Sequence, residues 1–258
     1  METRVALVTG ASSGIGLATV RRLSAAGLSV FGAARSDDRL RDALSPLVAG
    51  GARIGWKATD VTKTDEIHDL VDAVLDRFGR IDVLVNNAGR SGGGEIGALP
   101  DQLWDEVLAT NLTSVFYLTR EVLGRKEMVG RGWGRIVNVA STAGKQGVVF
   151  ASPYCASKHG VLGLTRAVAL EVVRSGITVN AVCPGYVETP LAVRVRQGYA
   201  DHWGRSEQEV LDEFVGKVPL GRYSTADEVA SMIEYVASDA AASVTGQALN
   251  VCGGLGRY

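Results

Sequence analysis

Short apolar runs rich in β-branched residues alternate along this chain with longer segments of helical period, an order that few folds satisfy. It is the mark of βαβ units, in which helices cross between parallel strands. Strands are expected at 5–9, 29–34, 53–59, 83–86, 134–140, 178–182 and 248–251. Helices are expected near 15–26, 37–48, 64–78, 101–129, 153–175 and 225–237. Several strands are apolar at consecutive positions, as strands covered on both faces should be. The expected architecture is a three-layer α/β sandwich around a seven-stranded parallel sheet. No repeat, low-complexity run or Pro-rich linker divides the 258 residues, so residues 1–258 are expected to form a single domain.

Two segments depart from simple alternation. Ser91-Gly92-Gly93-Gly94 reads as a flexible glycine run just past a strand end. Residues 190–217 form an insertion carrying Tyr199, His202 and Trp203 among charged residues. A long connection at the carboxyl edge of such a sheet reads as a helical lid over a ligand; the alternative is a surface helical hairpin with its aromatics packed down. The helix starting near Pro153 carries Val161, Leu162, Leu164, Val168, Leu170, Val172 and Val173, too wide an apolar surface for one sheet contact. A subunit interface is the favoured reading over burial within the domain, and the expected assembly is a homo-oligomer, taken as a homotetramer.

Charge excludes some partners. With 27 basic and 28 acidic residues the net charge is −1, which offers no general field for nucleic acid or an anionic membrane. No run of about 18 apolar residues could span a bilayer, and the start, Met1-Glu2-Thr3-Arg4, lacks a signal-peptide h-region. Cys155, Cys183 and Cys252 are odd in number and without metal-ligand spacing, so buried free thiols, no metal and a cytoplasmic, reducing location are expected.

The first expected strand runs into Thr9-Gly10-Ala11-Ser12-Ser13-Gly14-Ile15-Gly16 and then a helix. Gly10 permits a sharp turn, Gly14 lets backbone approach a pyrophosphate, and Gly16 allows close helix–strand packing, as in a Rossmann-type dinucleotide site. Strand, glycine turn and helix in succession raise this motif above a lone match. An acidic residue after the second strand would bind a ribose 2′-hydroxyl, but the chain has Ala33-Ala34-Arg35-Ser36. Arg35 would pair with a 2′-phosphate, so NADPH/NADP+ is expected over NADH; a plain surface arginine is the alternative.

Tyr154 and Lys158, four apart on one helix opened by Ser152-Pro153, share a face. A free phenol with pKa about 10 is a poor acid–base group at neutral pH, and a nearby ammonium would favour its phenolate. Ser141 ends one strand and Asn86-Asn87-Ala88-Gly89 another, both at the carboxyl edge where ligands bind. Asn111 sits in a helix otherwise rich in apolar residues, either as a hydrogen-bonded core amide or as a functional one.

Thr9-Gly-X-X-X-Gly-X-Gly16, Asn86-Asn-Ala-Gly89, Asn111, Ser141, Tyr154-X-X-X-Lys158 and Pro184-Gly185 together resemble the short-chain dehydrogenase/reductase family, in its order and spacing. The resemblance implies that Tyr154 is the general acid, that Lys158 lowers its pKa and holds the nicotinamide ribose, that Ser141 binds the substrate oxygen, and that Asn111 supports a water-linked proton relay. It implies a cofactor site of Thr9, Gly10, Ser12, Ser13, Gly14, Ile15 and Gly16, then Arg35, then Asp60 and Val61 flanking adenine. Asn87, Ala88, Gly89, Tyr154, Lys158, Pro184 and Gly185 complete it, with Val187 and Thr189 at the carboxamide.

Within the family, Gly89-Arg90-X-Gly92-Gly93-Gly94, the segment Gly144-Lys145-Gln146-Gly147-Val148-Val149 and the ending Ala248-Leu249-Asn250-Val251-Cys252-Gly253-Gly254-Leu255-Gly256 resemble bacterial aromatic (type II) polyketide ketoreductases. That branch implies a poly-β-ketone carried on an acyl carrier protein, one ketone of which becomes a hydroxyl. Gly92, Gly93, Thr142, Gln146, Val148, Leu191, Tyr199 and Trp203 are the expected pocket walls. Ser91 and Ala143 depart from the actinorhodin-type pattern, which has proline and glycine there. Arg90, Arg194, Arg196, Lys217 and Arg222 are candidates by position for a basic patch facing an acidic carrier. The alternative on the same fold is a β-ketoacyl-(acyl carrier protein) reductase of fatty-acid synthesis or a general ketone/alcohol dehydrogenase.

Overall fold

The computed structural model describes residues 3–256; Met1, Glu2 and the Arg257-Tyr258 end of the branch-like ending lie outside the described residues. The strands are β1 (Val5–Thr9), β2 (Ser29–Ala34), β3 (Ile54–Ala58), β4 (Val83–Asn86), β5 (Gly134–Val139), β6 (Ile177–Pro184) and β7 (Ala248–Val251). They form one seven-stranded sheet in the order β3-β2-β1-β4-β5-β6-β7, parallel throughout. The helices are α1 (Gly14–Ala25), α2 (Asp37–Ala49), α3 (Thr64–Phe78), α4 (Asp101–Leu108), α5 (Ser114–Gly124), α6 (Glu127–Gly130), α7 (Ser152–Val172), α8 (Pro190–Trp203), α9 (Glu207–Gly216) and α10 (Ala226–Ala237).

Alternate residues of each strand face opposite layers. Leu7 of β1 joins Ile67 and Leu70 of α3 and Leu118 of α5 on one side of the sheet. Val8 joins Val20 of α1, Leu40 and Leu44 of α2 and Ile233 of α10 on the other. Each such leucine, removed from water, contributes on the order of 2 kcal/mol. Winding reverses between β1 and β4, so the loops leaving these neighbours diverge and open a crevice at the carboxyl edge. The candidate residues lie along that edge.

The expected helix at 101–129 is broken. α4 passes through a wide turn of π type at Ala109–Thr113 into α5, and α5 ends where Lys126 takes φ +62° before the short α6. Inserting a residue into the i→i+4 ladder turns Asn111 fully inward, a demand that apolar periodicity does not register. β3 and β5 are shorter than expected, and β6 is longer at both ends because β5 and β7 pair along it. α7 ends at Val172, followed by a 3-10 turn that Gly176 closes at φ +71°, where a Cβ would lie 2.1 Å from the Gly132 carbonyl oxygen. Val161, Leu162, Val168 and Val172 of α7 are buried, whereas Leu170 is 80% exposed, so the second apolar side of this helix faces outward.

The insertion is the hairpin α8–α9, with a small core of its own. Tyr186 stacks between Phe214 at 5.1 Å and Tyr223 at 5.2 Å, and Tyr199 packs on Trp203 and Phe214. Cys183 and Cys252 are buried free thiols as expected, but Cys155 is only half-buried. No described helix is long and apolar enough to cross a membrane.

Candidate active site

The carboxyl ends of β1 and β4 are stitched together by Thr9, whose Oγ1 accepts from the backbone N–H of Asn87 and of Ala88, both at 3.0 Å. Asn87 Nδ2 donates back to the Thr9 carbonyl at 2.8 Å. Gly10 turns there at φ +68°, and a Cβ on Gly16 would stand 2.2 Å from the Gly10 carbonyl oxygen, so α1 can abut the turn only without that atom. Ser13 holds the N-cap position of α1 yet makes no side-chain cap bond, and the first turn carries no acidic residue. The first N–H groups therefore lack a side-chain acceptor and present the positive end of the helix.

At the ends of β2 and β3, Arg35 is exposed and its charge reaches Asp60. Burial opposes ionisation of Asp60, but hydrogen bonds from the Thr62 N–H and hydroxyl, helped by Arg35, outweigh it and hold the carboxyl below its usual range. Val61 is buried beneath. Uncommitted amides, a close-packed glycine turn and the exposed Arg35 guanidinium fit the pyrophosphate and 2′-phosphate of a dinucleotide. Thr189, across the crevice, caps α8 by accepting from the Ala192 N–H at 3.3 Å, and its Cγ2 would stand 3.2 Å from a Cβ on Gly14. Gly185 donates to the Val251 carbonyl, and Val187 is buried and bridges to Ser224.

The candidate acid–base group is assembled from three elements. α7 opens with Pro153 in its first turn, and its Tyr154 lies close enough to Ser141 at the end of β5 for that hydroxyl to favour the phenolate. The Ser141 side chain also accepts from the Ala143 N–H at 3.1 Å. Lys158 follows one turn later with Nζ 5.7 Å from the Tyr154 ring centroid, donating to the Val139 carbonyl at 2.8 Å. Asn111 is doubly paired with the Arg90 backbone, donating at 3.0 Å and accepting at 2.9 Å, and donates to Ser157 Oγ at 3.2 Å. Ser157 in turn donates to the Tyr154 carbonyl at 2.7 Å. Sequence reasoning missed Ser157; its signal was a hydroxyl inside the Tyr154–Lys158 turn.

Burial dominates the electrostatics of this pair. Burial raises the Tyr154 phenol above its ordinary value, and the neighbouring Ser141 hydroxyl offsets this in part. Lys158 is itself lowered by burial to about 8. The chain's own residues therefore keep Tyr154 in its protonated form, the form a proton donor needs.

On the substrate side, the glycine run is packed and not a flexible loop. A Cβ on Gly92 would stand 2.4 Å from Val107, and one on Gly93 would stand 1.7 Å from the Phe150 carbonyl oxygen. Gly94 donates to that same carbonyl at 2.8 Å. Phe150 itself takes φ +61°, and its ring lies 4.9 Å from His202 and 6.4 Å from Tyr199. Tyr199 donates to the Val149 carbonyl at 2.7 Å. Thr142 is buried, Gln146, Val148 and Leu191 are half-buried, and Trp203 belongs mainly to the hairpin's own core.

Most of the supposed basic patch is already paired. Arg196 is 4% exposed, bound through two nitrogens to Glu188 at 2.8 and 2.9 Å and also to Glu207, so it cannot face a partner. Arg90 pairs with Glu106, Lys217 with Glu213 and Arg222 with Glu228; Arg194 alone of the five is exposed and makes no ion pair with a described residue.

A profile of the family described as short chain dehydrogenase matches residues 4–200. The chain belongs to the short-chain dehydrogenase/reductase family. This short-chain dehydrogenase/reductase is 58% identical over 256 residues, 99% of this chain and 98% of the other, to a protein of Streptomyces virginiae assigned as a ketoacyl reductase of the monensin polyketide synthase. It is 56% identical to ketoacyl reductase 1 of the granaticin polyketide synthase from Streptomyces violaceoruber, over 98% of this chain and 93% of that one. Its fold superposes on a variant of the actinorhodin polyketide ketoreductase solved with NADPH, with a TM-score of 0.97, 55% identity and complete coverage of both chains.

Proposed function

We propose that this chain is an NADPH-dependent ketoreductase that reduces one ketone of a carrier-protein-bound poly-β-ketone to a hydroxyl in aromatic polyketide biosynthesis. The observation that carries this reading is the convergence of a protonated Tyr154 and its neighbour Ser141 with buried Lys158 and Asn111 beside a crevice whose far end offers Arg35. The two full-length polyketide reductase relatives and the NADPH-bound neighbour support the substrate class and the cofactor.

NADPH, when bound, supplies the hydride. Ser141 and Tyr154 receive the ketone oxygen, and their hydrogen bonds strengthen as charge grows on it. Tyr154 Oη then gives up its proton, and the Lys158 ammonium steadies the resulting phenolate. Asn111, fixed by the Arg90 backbone and by Ser157, holds the start of α7 in line and marks where a relay would return the proton from solvent. The α1 amides and Arg35 hold the phosphates, Asp60 and Val61 flank the adenine, and Val187 and Thr189 orient the carboxamide. The α8–α9 hairpin covers the substrate.

The same reading takes residues 1–258 as one cytoplasmic domain assembling as a homotetramer. Leu170 at 80% exposure on α7 and half-exposed Phe116 on α5 support an apolar subunit contact, to be checked by light scattering. A basic carrier-docking face would rest on Arg194, the free cation of the hairpin among the described residues. The deciding experiment reconstitutes a polyketide synthase with and without this protein, and in parallel compares NADPH consumption with a bulky bicyclic ketone and a short linear β-ketoacyl thioester. Turnover of the linear thioester alone would favour a fatty-acid reductase.

A further inference from the structure

Two segments far apart in sequence, Gly144-Lys145-Gln146-Gly147 after β5 and Ala248-Leu249-Asn250-Val251 in β7, have no role in the chemistry above, yet the structure joins them. Lys145 Nζ donates to the Ala248 carbonyl and to Asn250 Oδ1, both at 2.7 Å. The β6–β7 ladder uses the Gln247 and Val251 carbonyls, accepting from Ala181 and Gly185, so the Ala248 carbonyl between them points away from β6. β7 is the last strand of the sheet, and Lys145 occupies one of its outward acceptors.

The turn that Lys145 pins is the one Ser141 opens. Ser141 caps the 3-10 turn Thr142–Gly144, and the Thr142 carbonyl accepts from both Lys145 and Gln146. On its other side the turn lies against the catalytic helix: a Cβ on Gly144 would stand 2.8 Å from the Lys158 carbonyl oxygen. The turn is thus held between α7, which it touches through a bare glycine, and β7, which it reaches through a cation. A charged donor on two oxygens holds more firmly than a neutral pair, and its loss leaves two part-buried acceptors unmet.

We propose that Lys145, seated on Ala248 and Asn250, is a positioning residue that sets the Thr142–Val148 wall of the substrate pocket relative to Ser141 and so tunes acceptance of bulky ketones. This rests on the ketoreductase reading above. Both of these Lys145 bonds run to β7, so its removal is expected to act on ketone binding and to leave cofactor binding in place.

The test compares full-length Lys145→Met, Lys145→Arg, Asn250→Ala and the Lys145→Met/Asn250→Ala pair. Lys145→Met is expected to raise KM for a bulky bicyclic ketone about tenfold, the cost of one charged hydrogen bond, and Asn250→Ala about threefold. kcat and the NADPH dissociation constant should each stay within about twofold. The pair should cost no more than Lys145→Met alone, because both changes break one linkage. Lys145→Arg should recover most of the loss. Amide hydrogen exchange across 142–151, measured on apo protein, should speed up in Lys145→Met, a readout independent of turnover. Unchanged exchange and unchanged KM, with only a lower melting temperature, overturn the proposal; so does full additivity of the pair. Should wild type reduce no ketone while exchange still responds to Lys145, the reductase reading fails and the tether stands.

Discussion

Asn111 is fully buried and spends its amide on the Arg90 backbone and on Ser157, whereas Tyr199 is half-exposed and reaches a single carbonyl, that of Val149. The same contrast runs through the floor of the site and its cover. On the floor, Lys158, Ser141 and Thr9 bond to backbone groups of β5, of the following turn and of the β4 end, deep in a sheet covered on both sides. In the cover, α8–α9 are braced by partly exposed ion pairs such as Arg205–Glu213 and Lys217–Glu213, worth little individually. They also share a small aromatic core, and Arg196 is the exception, a buried cation between Glu188 and Glu207. The floor cannot shift without leaving many buried polar groups unpaired; the cover has one such buried anchor, Arg196. On the proposed function, chemistry and substrate choice would fall to regions of different stiffness.

If that division is right, substitutions in the floor should strike kcat and those in the cover KM. Tyr154→Phe should lower kcat about a thousandfold while NADPH still binds with near wild-type affinity by fluorescence titration, because only the proton donor is lost. Arg35→Asp should change the kcat/KM ratio for NADPH over NADH by tenfold or more, roughly the value of one charge-assisted contact turned repulsive, with ketone KM unmoved. The pH profile of NADPH-driven reduction should be flat below neutrality and fall as pH rises through about 8, where Lys158 loses its proton. Tyr154, held above its ordinary value, stays protonated through that window and contributes no second fall there. Tyr199→Phe should have the smallest effect, raising KM for a bulky ketone about threefold with kcat unchanged, since one neutral hydrogen bond is removed. A large kcat loss there would erase the distinction between floor and cover.

The sheet was legible because strands covered on both sides write themselves as apolar runs, and the cradle because Gly10 and Gly16 leave no alternative where a Cβ meets backbone. Tyr154 and Lys158 share a face of α7 as their spacing predicts, whereas the bonds of Asn111 to Arg90 and Ser157 show only in the fold. What stayed hidden depends on contacts between distant segments. The break at Ala109–Thr113 answers to the backbone of Arg90, distant in sequence, and not to the apolar period of its own helix. Arg196 reads as a surface charge until Glu188 and Glu207 fold around it. Likewise Gly92–Gly94 looks loose in composition and is tight in place, because nothing local announces the Phe150 carbonyl.

Phe150 and the glycines opposite it behave like a mortise and its tenon. A bulky residue in left-handed backbone costs on the order of 1 kcal/mol or more, and here that twist aims its carbonyl at Gly93 and Gly94 while its ring meets His202. Reshaping either half alone would leave a gap or a collision in the other. Descendants of this enzyme with altered substrate range should therefore change these positions together, and laboratory libraries that vary them one at a time would overlook the productive combinations.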